Sequence, residues 1–193
     1  MEAVLVSTGV VALAELGDKT QLLALLLAAR FRARVPVIAG IVTAVLLNHL
    51  TAGVAGVLLA AVLSPAVLRW LLAASFLVTA VWMLIPDREP AADAGAGATR
   101  FGAYGTTVVT FFLVEMGDKT QVATLALAAR YQALLPVVAG TTLGMLICDV
   151  PAVLLGRAVA ERLPVQLMHR VGAAVLLALA VLAALGVGPA AGI

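Results

Sequence analysis

Charge, sulfur and aromatic rings are all scarce in this chain. Of its 193 residues 11% are charged and 5% aromatic, with two histidines and one cysteine, Cys148. A lone cysteine closes no internal disulfide, and without a CxxC or His-rich spacing no structural zinc site is expected. The ten arginines and two lysines are spread too thinly to track a phosphate backbone, which excludes nucleic acid as a partner. ATP is excluded as well, because the GDKT stretches lack the direct GK[ST] of a phosphate-binding loop, Asp18 or Asp118 intervening. Glu2 stands where a signal peptide carries basic residues, and the first apolar stretch contains Glu15, Asp18 and Lys19, so it reads as part of the mature fold. What the chain has in abundance is apolar: 64% hydrophobic residues and a mean hydropathy of +1.16. A water-facing surface does not tolerate such a composition, so the expected partner is the lipid bilayer.

A helix needs roughly 20 apolar residues to cross the hydrocarbon core. Charges and prolines divide the chain into six such stretches, at 3–29, 36–63, 66–85, 104–129, 135–156 and 165–187. The sequence PDREPAADAGAGATR, residues 86–100, has the composition of a linker. The halves it separates are repeats offset by 100 residues: ELGDKTQ, starting at Glu15, recurs as EMGDKTQ, starting at Glu115. The match continues through Leu25, Leu27, Ala28, Ala29 and Arg30 to Pro36, Val37, Ala39 and Gly40. Three spans per half is an odd number, so the second half enters the membrane from the opposite side. The expected fold is an all-α polytopic membrane protein of six transmembrane helices in two inverted three-helix repeats. The first repeat covers 1–86, a linker 87–103, and the second repeat 104–193. Arg30, Arg32, Arg34, Arg88, Arg100, Arg157, Arg162 and Arg170 gather on one side against Arg69 and Arg130 on the other. Positive loops stay cytoplasmic, which places both termini on the extracytoplasmic side.

Carboxylates in mid-span carry the chemistry. Glu15, Asp18, Glu115 and Asp118, with Asp149 in the fifth span, cost about 2.5–3.5 kcal/mol each on the insertion scale, on the order of 12 kcal/mol together. Residues three apart lie on one helical face, so Glu15 and Asp18, and Glu115 and Asp118, are expected to point the same way, with Gln21 and Gln121 extending that face another turn. Inverted symmetry would join the two faces at the midplane as an all-oxygen cage for a hard divalent cation such as Ca²⁺, Mn²⁺ or Mg²⁺. Like charges packed away from water disfavour each other's ionised form, so cation and protons would compete for these groups. That competition is the minimal chemistry of an antiporter and needs no prosthetic group.

The neighbouring positions have narrower roles. Gly17 and Gly117 allow either a local helix break or close helix packing. Lys19 and Lys119 either offset the carboxylate charge of the empty site or snorkel away, and their place more than a turn inside each span favours ion pairs. Thr20 and Thr120 offer hydroxyl oxygens or bond their own helix carbonyls, as do Thr43 and Thr51. Asn48 and His49 fall at the repeat positions of Cys148 and Asp149. Asp149 is expected as a direct ligand or one step behind the ligands, His49 as a proton relay or a hydrogen-bonded core residue, and Cys148 as a small apolar filler. His169, beside Arg170 at a span end, reads as interfacial.

The duplicated E-x-G-D-K-[ST] signature, ELGDKT and EMGDKT, resembles that of the Gdt family of cation/proton exchangers, small six-span proteins that include a Golgi transmembrane protein of eukaryotes and manganese exporters of bacteria. The resemblance extends over nearly the whole chain. It implies Mn²⁺ or Ca²⁺ movement against protons, with Glu15, Asp18, Glu115 and Asp118 as cation-binding carboxylates and Gly17, Lys19, Thr20, Gly117, Lys119 and Thr120 completing the motifs. The short N-terminus and linker make a compact exporter of the bacterial inner membrane the closer likeness. The expected protein is therefore a secondary-active antiporter, not an enzyme. A channel or uniporter built on the same site is the alternative. An intramembrane metal-dependent enzyme is disfavoured, because the motifs offer no nucleophile and duplication serves gating rather than catalysis.

Overall fold

The computed structural model describes residues 1–85, 101–155 and 165–186, and every regular element among them is an α-helix. Most of the expected linker lies outside the described residues, as do Arg88, Arg100, Arg157 and Arg162 of the orientation argument and the last residues of the fifth and sixth spans. In chain order the helices are α1 (Glu2–Glu15), α2 (Lys19–Phe31), α3 (Arg34–Val62), α4 (Pro65–Met83), α5 (Gly102–Glu115), α6 (Lys119–Tyr131), α7 (Leu134–Leu155) and α8 (Val165–Leu185). Of these, α3, α4 and α7 are long and apolar enough to cross a bilayer, and the apolar run His169–Leu185 of α8 is shorter.

The first and fourth expected spans are not single helices. α1 and α5 have 14 residues each, α2 and α6 have 13. At 1.5 Å per residue each reaches only about 20 Å into a core of roughly 30 Å. Gly17 and Gly117 cause the interruption, at φ +78 and +80, a left-handed conformation that glycine adopts without the Cβ clash other residues suffer. Asp18 and Asp118 then run in extended backbone and stand as N-caps of α2 and α6. A helix break frees backbone groups that hydrocarbon cannot satisfy. Here the motif glutamines meet the need: Gln21 Oε1 accepts the Gly17 N–H at 3.1 Å, and Gln121 Oε1 accepts the Gly117 N–H at 2.7 Å.

The repeat in sequence is a repeat in structure. α2 and α6 both end on a left-handed residue, Arg32 and Gln132, whose N–H returns to the carbonyl of Ala28 and Ala128. Packing exchanges partners between the halves: α1 lies on α7 and α5 on α3, α2 touches α7 as α6 touches α3, and α4 lies against α8. Without a hydrophobic drive between helices in lipid, such contacts depend on close backbone approach. Gly40 and Gly140 provide it at equivalent crossings: a Cβ on Gly40 would stand 2.6 Å from Thr107 Cβ, and one on Gly140 would stand 2.5 Å from the Val4 carbonyl oxygen. Leu72, Phe76, Leu127 and Leu176 fill one part of the interior, and Leu23, Ile41, Phe111 and Met145 another. Leu5, Val35, Leu58, Leu113 and Leu135 cover the outside, a surface suited to lipid rather than water.

Candidate cation site

The two helix breaks place the charged residues. Glu15 is the last residue of α1 and Glu115 the last of α5, and both are buried. Because the chain turns at Gly17 and Gly117, Glu15 and Asp18 do not share a helical face, nor do Glu115 and Asp118, and Gln21 and Gln121 do not extend one. Each glutamate is instead held from across its break. Thr20 Oγ1 donates to Glu15 Oε2 at 2.7 Å, and Thr120 Oγ1 donates to Glu115 Oε2 at 3.1 Å. Oε1 of both glutamates is left buried with no hydrogen-bond partner.

The aspartates and lysines pair across the repeats. Lys19 Nζ lies 2.6 Å from Asp118 Oδ1, and Lys119 Nζ lies 2.9 Å from Asp18 Oδ2. The two pairs are not equivalent. Asp18 uses its other oxygen as well, Oδ1 accepting the Lys19 backbone N–H at 2.7 Å, whereas Asp118 makes no such cap and its Oδ2 is buried with no hydrogen-bond partner. Lys119 is buried, its side chain 1% exposed against 21% for Lys19.

One oxygen from each of Glu15, Glu115 and Asp118 lies within 4.8 Å of the others. Oxygens that share one ion stand no further apart than twice the metal–oxygen distance, about 4–5 Å for Mg²⁺ and Ca²⁺. The donor set is hard and anionic, and Glu15, Glu115 and Asp118 each hold a buried oxygen that no protein group satisfies. A buried polar atom without a partner is costly, and a divalent cation would relieve that cost at three carboxylates at once.

The remaining expected residues divide between the site and its supports. Asp149 in α7 is fully buried and neither carboxylate oxygen has a hydrogen-bond partner. His49, its counterpart in α3, is buried with Nδ1 unpartnered. Asn48 holds the second break: its Nδ2 donates to the Phe112 carbonyl at 3.2 Å, and its Oδ1 accepts from Gln121 Nε2 at 3.2 Å. Cys148, at the equivalent place, reaches the equivalent carbonyl, Sγ to Ala12 at 3.4 Å. Thr43 and Thr51 bond helix carbonyls of their own, at Ala39 and Asn48. Sequence reasoning did not foresee the crossing of the two ion pairs or the bracing role of Asn48. The signal for the first was the 100-residue offset, which puts a lysine beside an aspartate in each copy and invites exchange between copies.

A family model described as "Divalent cation/proton antiporter GDT1" matches residues 3–91 and 103–188. A Vibrio cholerae serotype O1 protein (strain Classical Ogawa 395) named "Putative manganese exporter" is 46% identical over 181 residues, covering 93% of this chain and 89% of that protein. The "GDT1-like protein sll0615" of Synechocystis is 32% identical over 179 residues, covering 84% and 86%. No solved structure matches the chain.

Proposed function

The chain belongs to the GDT1 family of divalent cation/proton antiporters, and from that premise we propose that it exports Mn²⁺ from the cytoplasm in exchange for protons. The observation that carries this reading is the convergence of Glu15, Glu115 and Asp118 on one point, each with a buried oxygen that lacks a partner. These three are the cation ligands. Asp149 supplies a fourth carboxylate from α7, and His49 lies in α3 at the matching position. Asp18, Gln21 and Gln121, with Gly17 and Gly117, hold the two breaks in shape, and Thr20 and Thr120 orient the glutamates. Lys19 and Lys119 balance the charge of Asp118 and Asp18.

The two halves cross the membrane in opposite directions, each broken pair of helices spanning once, so the protein has six spans with both termini outside the cytoplasm. The exchange of helix partners between halves supports this plan, since an inverted pair generates it. Rocking one half against the other exposes the site to each side in turn. Protons and cation compete for the same carboxylates, so loading from one side releases the other species, and the inward proton gradient of a bacterial inner membrane drives Mn²⁺ out. Manganese is preferred over Ca²⁺ on the name of the Vibrio relative.

The test is flux in sealed liposomes that contain a pH-sensitive dye, with membrane potential clamped and Mn²⁺, Ca²⁺ or Mg²⁺ added outside. Proton efflux that follows Mn²⁺, and is lost in Glu15→Gln and Glu115→Gln, is expected. Cation uptake without proton movement would instead identify a uniporter.

A further inference from the structure

The family motif is written twice with identical charges, yet its two copies are not used alike. We infer that Asp118 is a cation ligand and Asp18 is not, and that Lys19 is a tethered ammonium which the cation displaces, while Lys119 and Asp18 form a permanent strut. This rests on the cation site proposed above and assigns its residues unequal roles.

Three independent observations agree. The first is the use of oxygens: Asp18 gives Oδ1 to the Lys19 backbone N–H and holds Oδ2 in an ion pair with Lys119, whereas Asp118 gives Oδ1 to Lys19 and keeps a buried Oδ2 with neither kind of partner, in a carboxylate that has one oxygen within 4.8 Å of both glutamates. The second is burial. The Lys119–Asp18 pair is dry, with side chains 1% and 0% exposed, and removing either partner would strand a buried charge. Lys19 has a path out, with 21% of its side chain exposed and a flexible four-carbon stem that carries the ammonium toward water. The third is bracing. The α5–α6 break is held by the Asn48 amide, bonded to both Phe112 and Gln121. The α1–α2 break, which carries Lys19, has at that position the Cys148 thiol, a weak donor with no second amide atom to offer. The more loosely braced break is the one whose lysine has to move.

The Lys19 ammonium sits on one of the three carboxylates that would bind the cation, so it acts as a competitor built into the chain. Binding begins when Lys19 swings off Asp118, and on release the ammonium returns and discharges the site. A motif lysine with this role weakens cation binding and speeds release, the reverse of what a supporting residue does.

Binding of Mn²⁺ alone is measured by the loss of the free-ion EPR signal on purified full-length protein in nanodiscs. Lys19→Gln is expected to tighten Mn²⁺ binding about tenfold or more, because the binding-competent state no longer has to be freed of its tether. Lys119→Gln is expected not to tighten it. The isosteric pair Asp18→Asn and Asp118→Asn gives a second comparison that does not depend on how the lysine variants fold. Asp118→Asn should lose affinity about a hundredfold and Asp18→Asn less than about threefold, where each tenfold is about 1.4 kcal/mol. Equal or weaker binding in folded Lys19→Gln, or equal losses in the two asparagine variants, would overturn the inference while leaving the site intact. No Mn²⁺ binding by the wild-type protein would overturn the site itself, and this inference with it.

Discussion

Lys19 and Asp118 stand 99 positions apart in sequence and 2.6 Å apart in space, and the reciprocal pair of Lys119 with Asp18 closes at 2.9 Å. Both ion pairs run between the halves of the protein. Each lysine sits next to an aspartate in the chain and reaches past it to the one in the other repeat.

The buried pair is therefore expected to be a stability element. Lys119→Met should destabilise the protein by about 3–5 kcal/mol, since it leaves Asp18 charged in a dry interior. The double variant Lys119→Met with Asp18→Asn should cost less than the sum of the two single changes. Thermal unfolding of the four proteins in one detergent measures the cycle.

Gly17→Ala and Gly117→Ala force a Cβ into the left-handed conformation at each break. Each should cost about 1–2 kcal/mol and reduce Mn²⁺ flux, because straightening the turn pulls the glutamate away from the aspartate. Melting temperature and liposome transport, read together, separate loss of fold from loss of geometry.

Gln121→Leu and Gln21→Leu should not be equal. Both remove the acceptor of a glycine N–H, half-buried at Gly17 and exposed at Gly117, but Gln121→Leu also removes the amide N–H that Asn48 Oδ1 accepts. The larger fall in melting temperature is expected for Gln121→Leu, and Asn48→Ala should reproduce part of it.

Gly140→Leu places a side chain against the α1 backbone at Val4 and against Ser7. Overpacking of this kind costs about 1–3 kcal/mol, and it should separate α1 from α7. Gly9→Leu, where an added Cβ meets nothing within 4 Å, is the control on the same helix pair. Melting temperatures of the two variants decide it.

Much of this architecture is legible in the sequence because the repeat is so well kept. The offset of 100 residues predicted corresponding helices, and α1 and α5, like α2 and α6, end at matching positions. The carboxylates stood out because hydrocarbon makes them expensive. The glycines left two options open, and the left-handed turns at Gly17 and Gly117 select the broken helix. The shared helical face of Glu15 and Asp18 was lost for that reason: the 3.6-residue period applies only while the helix continues. The inequality of Asp18 and Asp118 has no trace in their charged and polar neighbours, which are the same in ELGDKTQ and EMGDKTQ. It arises from which hydrogen bonds each carboxylate finds after packing, and among the described residues the difference between Asn48 and Cys148 is a sequence mark that goes with it.

The crossing of the ion pairs also has a cost in time. A ribosome adds about 5–20 residues per second, so Asp18 is made roughly 5–20 s before Lys119 exists. Through that interval Asp18 waits for Lys119 and Lys19 waits for Asp118. The two ion pairs therefore close only after the second motif has been made, so the order of synthesis sets when this part of the fold can form.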